Sequence, residues 1–202
     1  MNKIYTAVYF WQKRALYLAA TSRGICVVSF NKDRFESYLR AKGSIKESSN
    51  PLIDRLVACL DNYFAGKRES FDLPLDCEGT AFQKAVWHTV RQIPYGKVQS
   101  YSEIAVKSGK PAALRAVGAA NGANPTPIIV PCHRVVCSDL RLGGYRGGID
   151  LKRALLELEG VVLEPCGQRI LKNGENRHVS GRLDLDDADD CKTGGLASHS
   201  NR

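Results

Sequence analysis

Residues 124–137 read NPTPIIVPCHRVVC. Ile128, Ile129 and Val130 make a short apolar run of the kind that forms a buried strand. Pro131 then fixes the backbone just before Cys132, and His133 and Arg134 follow. A buried cysteine is ordinarily inert, and a histidine beside an arginine ordinarily belongs to a surface. Two readings stand. One is a structural thiol next to a surface histidine. The other is a nucleophile with a base beside it and cationic surroundings that favour the thiolate. In the second, neighbouring strand residues point to opposite faces, so His133 must reach the thiol through a turn or a water. Glu159, near the end of the last helix, is the carboxylate placed to orient that histidine.

Downstream, LRLGGYRGG (residues 140–148) is a glycine-rich loop. It is either a plain surface turn or one whose missing side chains let the backbone approach a flat ligand. IDLKRALLELEG reads as a helix, with Leu151, Leu155 and Leu158 apolar and Gly160 as its stop. Large apolar residues then thin out, and residues 166–202 are expected to form a flexible tail.

Upstream, TAFQKAVWHTVRQI opens with Thr80 and Gln83, the spacing of a capping box, and SYSEIAVKSG repeats it with Ser100 and Glu103. PAALRAVGAANG follows, with Pro111 expected at the first helical position and Gly122 at the end. The last two helices, joined by a Ser-Gly-Lys turn, make a helix-turn-helix candidate. Arg115 is the second helix's one charged side chain, among Ala112, Ala113, Ala116, Gly118, Ala119 and Ala120. Such small residues let its backbone lie close to another helix or to a nucleic-acid groove.

Residues 3–30 hold three runs rich in β-branched and aromatic residues, KIYTAVYF, ALYLAAT and GICVVSF, with short breaks between them. Connections this short favour an antiparallel meander. DRFESYLRAK reads as a helix. A second helix, from Pro51 to about Phe64, carries Leu52, Leu56, Leu60 and Phe64 as its apolar stripe. SFDLPLD is a short strand or linker. The expected organisation is therefore an α/β domain over residues 1–76, a mainly helical domain over 77–165, and the tail.

The 202 residues, 44% hydrophobic and 25% charged, have ordinary globular composition. The formal net charge is +8 and the pI about 9.2. Residues 79–135 carry seven Lys/Arg against Glu103 alone, and this basic stretch ends at the cysteine. It would attract phosphates. Seven cysteines at irregular spacing, with no C-x-x-C, argue against a disulfide framework and for a reducing compartment. No histidine pairs with a cysteine at zinc spacing, so no structural metal is expected. The apolar stretch after Lys3 is too short for a signal peptide and lacks a cleavage site, and nothing approaches the length of a membrane span.

Taken together, YGKVQSYSEIA, AALRAVGAANGANPTPIIVPCHRVV, GGYRGG and LLELEG run in order and without a large gap across about residues 80–165. In this the chain resembles the O6-alkylguanine-DNA alkyltransferases, whose hallmark P-C-H-R-V stands intact at residues 131–135. The resemblance implies an N-terminal α/β domain like ribonuclease H and a C-terminal helical domain with a winged-helix-like DNA site. It implies irreversible, stoichiometric transfer of an alkyl group from O6-alkylguanine to the protein, with no cofactor; the zinc ligands of some relatives stand in neither half of this sequence. The partner would be double-stranded DNA, approached through the minor groove with the damaged base flipped out of the stack. The protein would act as a monomer in the cytoplasm, or in the nucleus of a eukaryote.

By motif, the resemblance makes Cys132 the acceptor and His133 the base acting through a water, with Glu159 paired to it. Tyr101 would donate to guanine N3 and sit against the rotated phosphate. Arg115 would insert into the stack, with Ala116, Ala120 and Asn121 along the same DNA-facing helix. Asn124 would be the hinge tying that helix to the cysteine strand. Pro127 and Tyr145 would wall the alkyl pocket. The backbone around Val135 and the amides near Tyr145 and Arg146 would read the guanine edge. Arg146 would also narrow the pocket or meet a phosphate. Two alternatives come from other classes. A lesion-binding relative without transfer carries tryptophan where Cys132 stands here, and a cysteine hydrolase would turn over.

Overall fold

The computed structural model describes residues 3–42, 45–46, 50–67 and 70–171. Strands β1 (Ile4–Trp11), β2 (Arg14–Ala20) and β3 (Ile25–Ser29) form the antiparallel meander expected of the first thirty residues. A short β4 (Ile45–Lys46) adds to β1 in parallel, giving the order β3-β2-β1-β4. Every residue of β3 is buried, because both sheet faces are covered and its free edge is taken. Val28 N–H donates to the carbonyl of Pro125, and Ile25 exchanges hydrogen bonds with Pro74 and Asp76. That pairing removes an exposed edge from the sheet.

Helix α1 (Lys32–Lys42) covers one sheet face with Phe35 and Leu39, packed on Ala19, Cys26 and Val27. Helix α2 (Pro51–Phe64) covers the other, capped by Asn50, whose side chain accepts from Leu52 N–H. Its buried stripe is Ile53, Leu56, Leu60 and Tyr63. The stripe expected from sequence was one position off at both ends, since Leu52 and Phe64 are only half-buried. Fully burying a side chain such as Leu56 or Leu60 contributes about 1.5–3 kcal/mol. The same cluster reaches into the second half of the chain through Ile128, Ile129, Leu151 and Leu155.

Helices α3 (Ala81–Arg91) and α4 (Tyr101–Lys107) both open with complete capping boxes, Thr80/Gln83 and Ser100/Glu103. Helix α4 ends in a Schellman motif. Lys110 N–H bonds Ala105 O, Gly109 N–H bonds Val106 O, and Gly109 has a φ of +75°. Helix α5 runs Leu114–Gly122. It starts later than expected, because Lys110–Ala113 close a β-turn in which Pro111 takes the second position that suits its fixed φ. These three helices pack around Val86, Trp87, Val90, Ile104 and Val117.

The apolar run before the cysteine is not a strand. Residues 126–130 form a tight loop in which Val130 N–H bonds Thr126 O and Ile128 has a φ of +75°. That conformation costs a β-branched residue about 1–3 kcal/mol, offset by burial of Ile128 in the main core. Cys132–Arg134 is a single 3-10 turn leading into β6 (Val135–Val136), which pairs in parallel with β5 (Gln99–Ser100). Helix α6 (Ile149–Leu158) completes the fold. Residues 166–171, expected in the tail, pair back instead. Arg169 bridges to Arg141, Ile170 bridges to Leu163, and Ile170 is buried. The remaining expected tail, 172–202, lies outside the described residues.

Candidate active site

Cys132 is placed by backbone chemistry. Its N–H donates to Val130 O at 2.8 Å, and its carbonyl accepts from the Asn121 amide at 3.3 Å. Asn124 closes the loop ahead of it, donating to Val130 O at 2.8 Å and accepting from Thr126 N–H at 3.0 Å. Asn124 therefore ties the end of α5 to the segment before the cysteine.

The thiol opens on a cavity of about 820 Å³ shared by both halves of the chain. Tyr101, Asn121, Asn124, Pro127, Tyr145 and Arg146 line it together with Cys132. The opposite wall comes from β3 and α1, including Phe30, Arg34 and Tyr38, none of which sequence reasoning singled out. Tyr101 packs beside Gly143, where an added Cβ would sit 3.1 Å from Cys137 Sγ and 3.5 Å from the tyrosine ring. The positive φ of Gly143 and this close approach explain the first glycine of the loop.

The two residues after the cysteine enter a buried polar network. His133 Nε2 and Glu159 Oε1 are 2.7 Å apart. Arg134 grips the same carboxylate through Nε at 2.8 Å and Nη2 at 2.9 Å, and donates through Nη1 to Ile93 O. Gly96 N–H and the Tyr63 hydroxyl complete the donors. Burial pushes the Glu159 carboxyl up, but His133 and Arg134 outweigh it and hold it down at about 2. Burial, with the charges of Arg134 and Lys152, lowers the His133 imidazole against the pull of Glu159. With Nε2 facing the carboxylate, His133 keeps its proton there. Nδ1 is buried and has no hydrogen-bond partner among the described residues.

The thiol itself departs from expectation. Burial raises the Cys132 pKa, and Asn124, Tyr145 and the Lys152 charge pull it down by less. Burial thus favours the neutral thiol, against the thiolate that a basic surface would favour. The basic residues of 79–135 do not surround it: among those seven, only Arg134 is buried beside it, and its charge is spent on Glu159. Lys152 is fully buried, donates to Val135 O and Leu142 O, and is lowered to about 8, mainly by burial.

Other expected site residues separate. Arg115 and Ala116 are exposed on α5. Ala120 faces the core, and its carbonyl accepts from Trp87 Nε1 at 2.8 Å, so its side chain cannot meet a ligand. Asn121 is also buried; it donates to the cysteine turn and lines the cavity beside Cys132. Val135 is fully buried and does not line the cavity; its N–H bonds Cys132 O, and its carbonyl accepts from Lys152. Tyr63 and Lys152 went unnoticed because each sits in an amphipathic helix where one polar-tipped residue reads as ordinary patterning.

The family model for the 6-O-methylguanine DNA methyltransferase ribonuclease-like domain matches residues 4–77, and that for the DNA binding domain matches 81–161. A methylated-DNA–protein-cysteine methyltransferase of Methanosarcina acetivorans is 41% identical over 162 residues, covering 78% of this chain and 99% of that protein. This chain belongs to the methylated-DNA–protein-cysteine methyltransferase family. Another methyltransferase of the family, the inducible one of Bacillus subtilis, is 40% identical over 161 residues, 77% of this chain and 90% of that one. A third, from Methanosarcina barkeri, is 59% identical over 100 residues, spanning half of this chain and 63% of that protein. Among solved methyltransferases, the Mycobacterium tuberculosis protein in complex with DNA superposes with a TM-score of 0.67 at 41% identity, covering 78% of this chain and 92% of that one. The N-terminal sheet with its helices and the C-terminal helical part are the fold of this methyltransferase family. Among the described residues, no helix is long and apolar enough to cross a membrane, and no group of three His, Cys, Asp or Glu could hold a metal ion.

Proposed function

We propose that this protein repairs O6-alkylguanine in duplex DNA by moving the alkyl group irreversibly to its own Cys132. The observation that carries the reading is the thiol at the wall of a cavity large enough for a base, backed by the His133–Glu159 pair and flanked by Tyr101. The two halves of the chain act as an N-terminal domain to about residue 76 and a catalytic, DNA-binding domain after it.

The resting thiol is neutral, so the reaction begins with a proton. His133, neutral and with Nδ1 free of a partner among the described residues, takes the thiol proton through one water. The sulfur attacks the alkyl carbon in line, the S–C bond forms as the C–O6 bond breaks, and the electron pair stays on guanine. Tyr101 donates a hydrogen bond to N3, so guanine does not leave as a bare anion; it is neutralised by a proton from solvent, and His133 returns its own proton to solvent. Burial of the imidazole and the thiol keeps the ion pair unfavourable until substrate is present, which suppresses side reactions. The thioether has no path back to a thiol, so each molecule works once.

DNA lies against α5 through its minor groove. Arg115 and Ala116 face it, Arg115 fills the gap left by the flipped base, and Arg146 stands at the cavity rim. The protein acts as a monomer in the cytoplasm. Pro127 and Tyr145 bound the alkyl group.

The test counts turnovers. With duplex carrying labelled O6-methylguanine in excess, label on the protein should saturate at one methyl per molecule. Continued release of repaired DNA beyond that point would indicate a hydrolase. Tight binding with no label on the protein would indicate a lesion-recognition protein.

A further inference from the structure

Tyr63 stands on α2, in the N-terminal half, and is fully buried. Its hydroxyl donates to Glu159 Oε1 at 2.7 Å and lies 3.5 Å from His133 Nε2. The same oxygen faces His133 Nε2 at 2.7 Å and accepts from Arg134 Nη2 at 2.9 Å. Three donors therefore share Oε1, while Oε2 takes Arg134 Nε and Gly96 N–H. A carboxylate oxygen offers about two lone-pair sites, so each donor weakens the hold of the others. The tyrosine ring is fixed by edge contacts with Phe64 and Tyr95 and a tilted contact with Phe71. The hydroxyl is thus delivered to the carboxylate by helix packing.

We infer that Tyr63 is a positioning residue for alkyl transfer, donating to Glu159 so that the carboxylate holds His133 by Nε2 without enough free charge to protonate it. The inference rests on the alkyl-transfer reading above. The groups facing His133 are Glu159 and Lys152 from α6 and its end, Arg134 of the same turn, and Tyr63 from α2, with Tyr95 and Tyr145 beside Tyr63. Of the charged groups, Glu159 alone favours the imidazolium, and Arg134 and Lys152 oppose it. A donor to Glu159 disperses that one favourable charge. Removing the donor returns charge to Oε1 and makes His133 easier to protonate. A protonated His133 cannot take the thiol proton, so the acid side of the rate profile moves up. The N-terminal half thereby sets the working pH of a base carried on the other half.

The experiment measures the single-turnover rate constant with O6-benzylguanine from pH 5 to 9 for three proteins. They are the wild type, Tyr63→Phe, and the full chain with 3-fluorotyrosine at position 63. The phenylalanine variant should lose rate at a pH higher than wild type by about one unit, with rates converging in alkali. The fluorotyrosine protein, of nearly the same shape but a stronger donor, should shift the opposite way. In a Glu159→Gln background the Tyr63→Phe shift should disappear. Profiles that overlay the wild type in both Tyr63 proteins overturn the inference, and the fluorotyrosine arm decides it should the phenylalanine variant not fold. A wild type that takes up no alkyl group at all sinks the alkyl-transfer reading instead.

Discussion

Arg134 and Glu159 face each other fork to carboxylate, at 2.8 Å and 2.9 Å, with neither side chain more than 8% exposed. Removing one partner strands the other as an unpaired buried charge. Arg134→Leu should lower the free energy of urea unfolding by about 3–5 kcal/mol. A loss below about 1 kcal/mol would mean the pair is solvated and worth no more than a surface bridge.

The same network makes stability fall in acid, through two groups in sequence. His133 is lowered in the fold from 6.5. Below that value the unfolded chain binds a proton that the native one refuses, so stability drops as pH falls. Glu159 falls from 4.5 to about 2, so its contribution is present above 4.5 and is lost between there and about 2. The urea midpoint should decline from pH 7 to 5 and more steeply below 4.5. His133→Gln should flatten the first part of the decline and, because His133 helps hold the Glu159 carboxyl down, weaken the second without removing it, since Arg134 remains. A midpoint independent of pH over 7 to 5 contradicts the neutral, buried imidazole.

A buried thiol with a raised pKa should resist small reagents. Iodoacetamide at pH 7.5, followed by peptide mapping, should modify exposed Cys166 well before Cys132. Preferential labelling of Cys132 in the free protein would show a standing thiolate.

How much of this was legible in advance differs from element to element. The three strands, the two capping boxes and the ends of α2 follow from local patterns, and they stand where those patterns put them. The loop at Ile128 did not, because a β-branched run promises a strand, and the Val130–Thr126 backbone bond, the side chain of Asn124 and the burial of Ile128 hold it in a left-handed turn. Cys132, His133 and Glu159 were readable from the motif and one carboxylate. The neutral state of the thiol was not, because it depends on burial, which a count of nearby lysines and arginines ignores. Tyr63 and Lys152 are polar tips carried inward by apolar helix faces, and no spacing rule marks them.

Ala116 and Ala120 share a helix but face different ways. Ala116→Asp should change stability by no more than about 0.5 kcal/mol and weaken duplex binding, as should Arg115→Ala. Neither should slow reaction with the free base. Ala120→Leu should destabilise by about 1–3 kcal/mol through overpacking against Trp87. Thermal melts and fluorescence anisotropy with a labelled duplex separate the two. Equal stability losses at 116 and 120 would contradict the orientation of α5.

The central claim is that one sulfur takes the alkyl group and keeps it. Incubation with an O6-methylguanine duplex, proteolysis and tandem mass spectrometry should find a single added methyl on the peptide holding Cys132, fragment ions placing it on that residue, and none in Cys132→Ala. A methyl on another side chain, or a Cys132→Ala protein that still takes one up, would contradict it.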